Sequence, residues 1–120
     1  MSTKLGQVGE DQAASYLRHR GYRILGRNIR LARGELDIVA ERGELLLFIE
    51  VKAHKTRESG LLAVHADKCT RLQSAAECWL AQHPDYQHLQ CRFDLILLTP
   101  RIGLPLWVAP HIEHMEDIIR

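Results

Sequence analysis

The chain has 120 residues, 46% of them hydrophobic and 26% charged, with a formal net charge of +1. That suffices for one domain whose core needs neither disulfides nor a structural metal, and no apolar run approaches the roughly 20 residues of a bilayer-spanning helix. Cys69, Cys78 and Cys91 are odd in number and lack the close pairs of a zinc site. With no apolar signal segment in MSTKLGQVGEDQ, they read as reduced thiols of a cytoplasmic protein with no membrane attachment.

Residues 5–20 predict a helix: Glu10, Ala13, Ala14 and Leu17 share one stripe, and Gly21 ends it. A glutamate on that apolar stripe asks for a partner, although near a helix start it also suits the dipole. The segment YRILGRNIR mixes branched residues with arginines, as an edge strand does. Residues 1–33 carry seven Lys and Arg against Glu10 and Asp11, a local balance of +5 in a chain of +1. Such asymmetry describes either a phosphate-binding surface or a solvated basic face.

GELDIVA and ELLLFIEVK flank Arg42-Gly43 and predict a hairpin. Residues 53–65 read as a polar loop, and 66–82 as a second helix with Cys69, Leu72, Ala76 and Trp79 on one face, closed by Pro84. CRFDLILLT predicts a buried strand, parallel to 45–52 because the second helix is the crossover between them. The tail suggests a short strand near 106–108 and a small helix near 112–119; His111 and His114, three apart, could grip a metal there, but no third ligand is evident and a solvated helix face is the better reading. The expected fold is α/β, with core order α-β-β-β-α-β around a mixed sheet.

A turn that sets Ala40 opposite Leu45 makes Leu36 face Ile49 and Ile38 face Leu47, an apolar face fit for a helix. The other face pairs Asp37 with Phe48 and Glu35 with Glu50, and carries Lys52. Asp37 and Glu50 then sit diagonally, with backbones roughly 7–8 Å apart. Two arrangements satisfy these acids: an ion-pair cluster neutralised by Lys52 and Arg33, or a shared cation. All-oxygen ligands favour Mg²⁺ or Mn²⁺ over zinc. Two strand-borne acids with a lysine two residues on suit phosphodiester hydrolysis, the lysine orienting water or stabilising charge on the phosphate.

Taken together, GQVGEDQAASYL, GYRILGRNIR, GELDIVA, FIEVK, the lysine ahead of the second helix's apolar face, RFD and HIEHMEDI resemble the YraN-type family of uncharacterised bacterial proteins. That family belongs to the PD-(D/E)XK nuclease superfamily, with the archaeal Holliday junction resolvases. The resemblance spans nearly the whole chain and implies a restriction-endonuclease-like fold.

It further implies that Asp37 and Glu50 ligate Mg²⁺ or Mn²⁺, that Lys52 is the catalytic lysine, and that Glu10 is an additional acid at the same site. Glu35 is a further acid nearby. Arg27, Arg30, Arg33, Lys55 and Lys68 are candidate DNA contacts, Lys68 approaching from the second helix or serving as a solvated surface lysine. Asp94 is expected to be structural. The implied function is DNA phosphodiester hydrolysis at branched, single-stranded or otherwise structured sites, with a homodimer by analogy to the resolvases. The alternative is a nucleic-acid-binding or assembly module that keeps the fold without hydrolysis; a third reading is a purely structural ion-pair cluster. Many family members carry Thr-Arg after the lysine, where this chain has Ala53-His54-Lys55, and SGLLAVHADK lacks their Thr-Pro. Neither His54 nor Lys55 offers a bidentate arginine contact to phosphate.

Overall fold

A computed structural model describes residues 4–62, 66–105 and 108–119. Helix α1 (Lys4–His19) precedes β1 (Arg23–Leu31), β2 (Gly34–Arg42) and β3 (Leu45–Ala53). Helices α2 (Arg57–Leu62) and α3 (Ala66–Gln82) and a 3-10 turn (Pro84–Tyr86) lead to β4 (Gln90–Thr99), and β5 (His111–Met115) completes the sheet. The strands lie side by side in sequence order. β3 and β4 are parallel and the other neighbours antiparallel. This mixed sheet with flanking helices has the expected core order and is compatible with a restriction-endonuclease-like fold.

Two apolar layers hold it together. On one face, Ala13, Ala14 and Leu17 of α1 meet Ile38, Ala40, Leu47, Ile49, Ile96 and Leu98. On the other, Leu72, Ala75, Ala76 and Trp79 of α3 meet Val39, Leu46 and Phe48. Each fully buried leucine or isoleucine contributes roughly 1.5–3 kcal/mol over an exposed one. Helix α1 stops where Gly21 adopts φ +88°: the N–H of Gly21 bonds to the carbonyl of Arg18 and that of Tyr22 to the carbonyl of Leu17, the paired bonds of a glycine C-terminal cap. Near its start, Gly9 keeps α1 close to the sheet. A Cβ there would lie 3.4 Å from that of Ala53, and the close approach carries Glu10 in with it.

Three expectations are corrected. In the hairpin, Arg42 pairs with Leu45 and Ile38 with Ile49, so the turn is Gly43-Glu44 and the register moves by two residues. Gly43 has φ +60°, as the first central position of a tight hairpin turn requires. Side-chain alternation also fails at Asp37, since Ile38 packs under α1 but Leu36 under α3. Glu35 consequently faces Arg30 of β1 and not Glu50.

The segment expected as a polar loop contains α2. Thr56 caps it, its hydroxyl oxygen accepting from the N–H of Ser59 at 3.1 Å, and Gly60 is buried against Leu97. The tail is a strand where a helix was expected. Ile112 joins the α1-side core and His114 pairs with Ile96, so a period of two wins over the helical spacing. His111 and His114, three apart on a strand, face opposite sides of the sheet. The strand expected near 106–108 falls partly on 106 and 107, which lie outside the described residues. Among the described residues no helix is long and apolar enough to cross a membrane, and the three cysteines are free thiols.

Candidate active site

Beyond Ile38↔Ile49 the β2–β3 ladder ends. Just past it Asp37 neighbours Glu50, and the N–H of Val51 donates to Asp37 Oδ2 at 2.8 Å. The aspartate takes over the acceptor role that a β2 carbonyl plays elsewhere, so the strands part around the two acids. This parting lies near the C-terminal ends of the parallel pair β3 and β4, where open α/β sheets place their ligands.

Glu50 is 3% exposed and holds two cations on one atom: Lys52 Nζ and Lys68 Nζ each lie 3.1 Å from Oε1. Asp37 forms no ion pair among the described residues. Burial, followed by the charge of Glu50, pushes its carboxyl from the ordinary 3.8 up to about 7. Glu10, 4% exposed, is also raised, chiefly by burial, against the pull of Arg27 and Asn28. The charges of Glu10 and Glu50 both act on Asp37, which places the α1 acid beside the strand pair. The structure thus brings Glu10, Asp37, Glu50, Lys52 and Lys68 together.

The remaining candidates divide. Arg27, partly exposed, binds the exposed Asp11 at 2.5 Å, its buried Nε has no hydrogen-bond partner among the described residues, and its charge acts on Glu10. Arg30 lies 3.4 Å from Glu35, both largely exposed. Arg33 and Lys55 are exposed on the β1–β2 and β3–α2 connections. Arg30, Arg33 and Lys55 share the end of the sheet that holds Asp37. In place of Arg33, the cation that joins Lys52 on Glu50 is Lys68.

Two features were not anticipated: a partner for Glu10, and the extent of the cluster around Asp94, itself expected to be structural. Asn28 has φ +49°; with its amide nitrogen turned to Glu10 it donates to both carboxylate oxygens, at 3.2 and 3.1 Å. The sequence signal was an Asn amid edge-strand residues, since Asn tolerates that backbone better than most. The second is a separate cluster on the α1 face. Fully buried Asp94 accepts from Arg92 Nε and Nη2, both at 2.9 Å, from the N–H of Asp117 at 3.0 Å and from His114 Nε2 at 2.7 Å. The hydroxyl of Tyr16 lies 3.1 Å from His114 Nδ1. Asp94 ties β4, β5, the tail and α1 together, a structural role.

Among the described residues no three His, Cys, Asp or Glu side chains are grouped to cage a metal. The donors at hand are carboxylate oxygens, which suit Mg²⁺ and Mn²⁺, and Mg²⁺ is commonly held by one or two carboxylates, waters and substrate phosphate. An uncaged pair of acids, one of them without a cation of its own, matches that donor set.

Comparison with known proteins adds the chain's relatives. The model of uncharacterised protein family UPF0102 matches residues 9–98. A UPF0102 protein of Nitrobacter winogradskyi is 44% identical over 96 residues, 80% of this chain and 81% of the relative. One from Bartonella bacilliformis is 41% identical over 88% of this chain and 82% of its own length. One from Mesorhizobium japonicum is 40% identical over 91% and 83%.

Proposed function

The chain belongs to the uncharacterised protein family UPF0102, and we propose that it is a metal-dependent endonuclease hydrolysing DNA phosphodiesters. The observation that carries this reading is Asp37. It is a carboxyl group pressed against Glu50, without an ion pair among the described residues and raised to about 7 by burial and by that neighbour. An ion-pair cluster accounts for Glu50, which has two ammonium groups, but leaves Asp37 costly. A divalent cation shared by the two acids offsets that cost.

In this reading Asp37 and Glu50 hold Mg²⁺ or Mn²⁺. The ion supplies Lewis acidity toward phosphate and a coordinated water of lowered pKa. The chain's own groups do the rest. The Val51 N–H fixes the rotamer of Asp37. Lys52, its backbone held in register by Leu97 of β4, keeps an ammonium at the reaction centre for the charge that develops on phosphate. Glu10, steadied by Asn28, is placed to accept hydrogen bonds from a water in the site. Arg30, Arg33 and Lys55 face the sugar–phosphate backbone at the same end of the sheet, a contact that weakens as salt rises.

The second reading, a nucleic-acid-binding or assembly module without hydrolysis, draws on the full neutralisation of Glu50 by two lysines. A panel of linear duplex, single strand, flap and four-way junction, incubated with Mg²⁺ or Mn²⁺ against EDTA, separates the two. Metal-dependent cutting of at least one substrate is expected, reduced by about 10²-fold or more in Glu50→Ala. Binding without cutting in wild type would favour the module.

A further inference from the structure

Both ammonium groups at the site rest on the same oxygen of Glu50, yet they are held in different ways. Lys52 comes from the strand that carries Glu50 itself, two residues on and on the same face, with its side chain 21% exposed. Its backbone is fixed in the sheet against Leu97 of β4, which keeps the side chain on the site's side of the strand. Lys68 reaches in from the first turn of α3, with its side chain 33% exposed. A cation at a helix N-terminus opposes the helix dipole, so Lys68 sits there at a cost that Glu50 offsets. Burial pulls its ammonium down, and the charge and hydrogen bond of Glu50, joined by the charge of Asp37, together outweigh this. Its long stem lets the ammonium leave without moving the sheet.

We propose that Lys68 is an exchangeable counterion: it occupies the cation position on Glu50 in the metal-free protein and moves to a DNA phosphate when a divalent ion takes Glu50. The proposal rests on the metal-dependent reading above. Two ammonium groups neutralise Glu50 without metal. Adding a divalent ion while keeping both would crowd four positive charges around Glu50 and Asp37, and Lys68 is the group with an exit. The released ammonium lies beside the end of the sheet where Arg30, Arg33 and Lys55 are exposed, so an arriving phosphate is its natural partner. The carboxylate thereby stays paired before metal binds, and the gain in phosphate affinity comes only afterwards.

The test is Mn²⁺ titration by calorimetry, without DNA, of wild type, Lys68→Met and Lys68→Arg, all confirmed folded by circular dichroism. Lys68→Met removes the competitor and is expected to bind Mn²⁺ about tenfold tighter, while Lys68→Arg stays near wild type. Anisotropy with a labelled duplex then reads the second half. Lys68→Met should match wild type in EDTA, and in Ca²⁺ should bind more weakly with a salt slope shallower by about one. If wild type binds Mn²⁺ and Lys68→Met binds it no more tightly, the exchange is overturned while the metal site stands. Wild type that binds no Mn²⁺ overturns both.

Discussion

Asp37→Asn is expected to stabilise the metal-free protein at pH 8 and to leave its stability at pH 4 nearly unchanged. The carboxyl ordinarily titrates at 3.8 and here is pushed up to about 7. Below pH 4 it is protonated in both folded and unfolded chains, so burial carries no charge penalty. Between pH 4 and 7 the folded protein keeps a proton that the unfolded chain has released, and stability falls as pH rises. Above pH 7 the folded protein bears the whole penalty, about 2–4 kcal/mol after allowing that Glu50 shares it. Asparagine cannot ionise. Urea titrations in EDTA should show wild type losing stability across that interval and the variant losing several-fold less. Parallel pH profiles would mean that the strain at Asp37 is not electrostatic.

The second large effect lies at the other acid cluster. Asp94→Asn should lower the unfolding free energy by about 2–4 kcal/mol, because it leaves Arg92 and His114 facing a buried neutral amide, although Arg92 is part-exposed and keeps Glu116 as a partner. Burial alone would raise the Asp94 carboxyl, but His114, Arg92 and the N–H of Asp117 outweigh it and hold it below its ordinary value. Its contribution is therefore present above about pH 4 and lost as pH falls below that. Since Asp94 only joins elements, any effect of metal on melting should survive in this variant. Loss of that effect with the fold intact would assign Asp94 to the active centre.

How the two acids find each other shows which parts of the structure were legible. Periodicity placed both helices, and the crossover rule placed β3 beside β4 in parallel. The hairpin's existence was clear, but its register depended on whether Gly43 stands second or first in the turn, and the flanking residues suit either. The shift by two preserved facing in most of the hairpin, so Glu50 and Lys52 still share one face. Asp37 and Glu50 are neighbours as expected, but where the ladder stops and not within a paired stretch. The break in alternation at Asp37 had no local signal, because it arises where a side chain replaces a main-chain acceptor in the ladder. HIEHM misled for a different reason: five residues with one strongly apolar position fit either period, and pairing with β4 decides. Lys68 was visible as a lysine near the second helix's start, but its reach to Glu50 is a tertiary fact.

Thermal melting of wild type, Asp37→Asn and Glu50→Gln, each in EDTA and in excess Mg²⁺ or Mn²⁺, tests the shared-cation site most directly. An ion that binds only the folded chain stabilises it by mass action, by about 2.7 kcal/mol at a hundredfold excess over its dissociation constant. Wild type should melt at higher temperature with metal, and neither variant should respond. A wild type whose melting ignores both metals, with Glu50→Gln destabilised in EDTA, would contradict the account and leave an ion-pair cluster in its place.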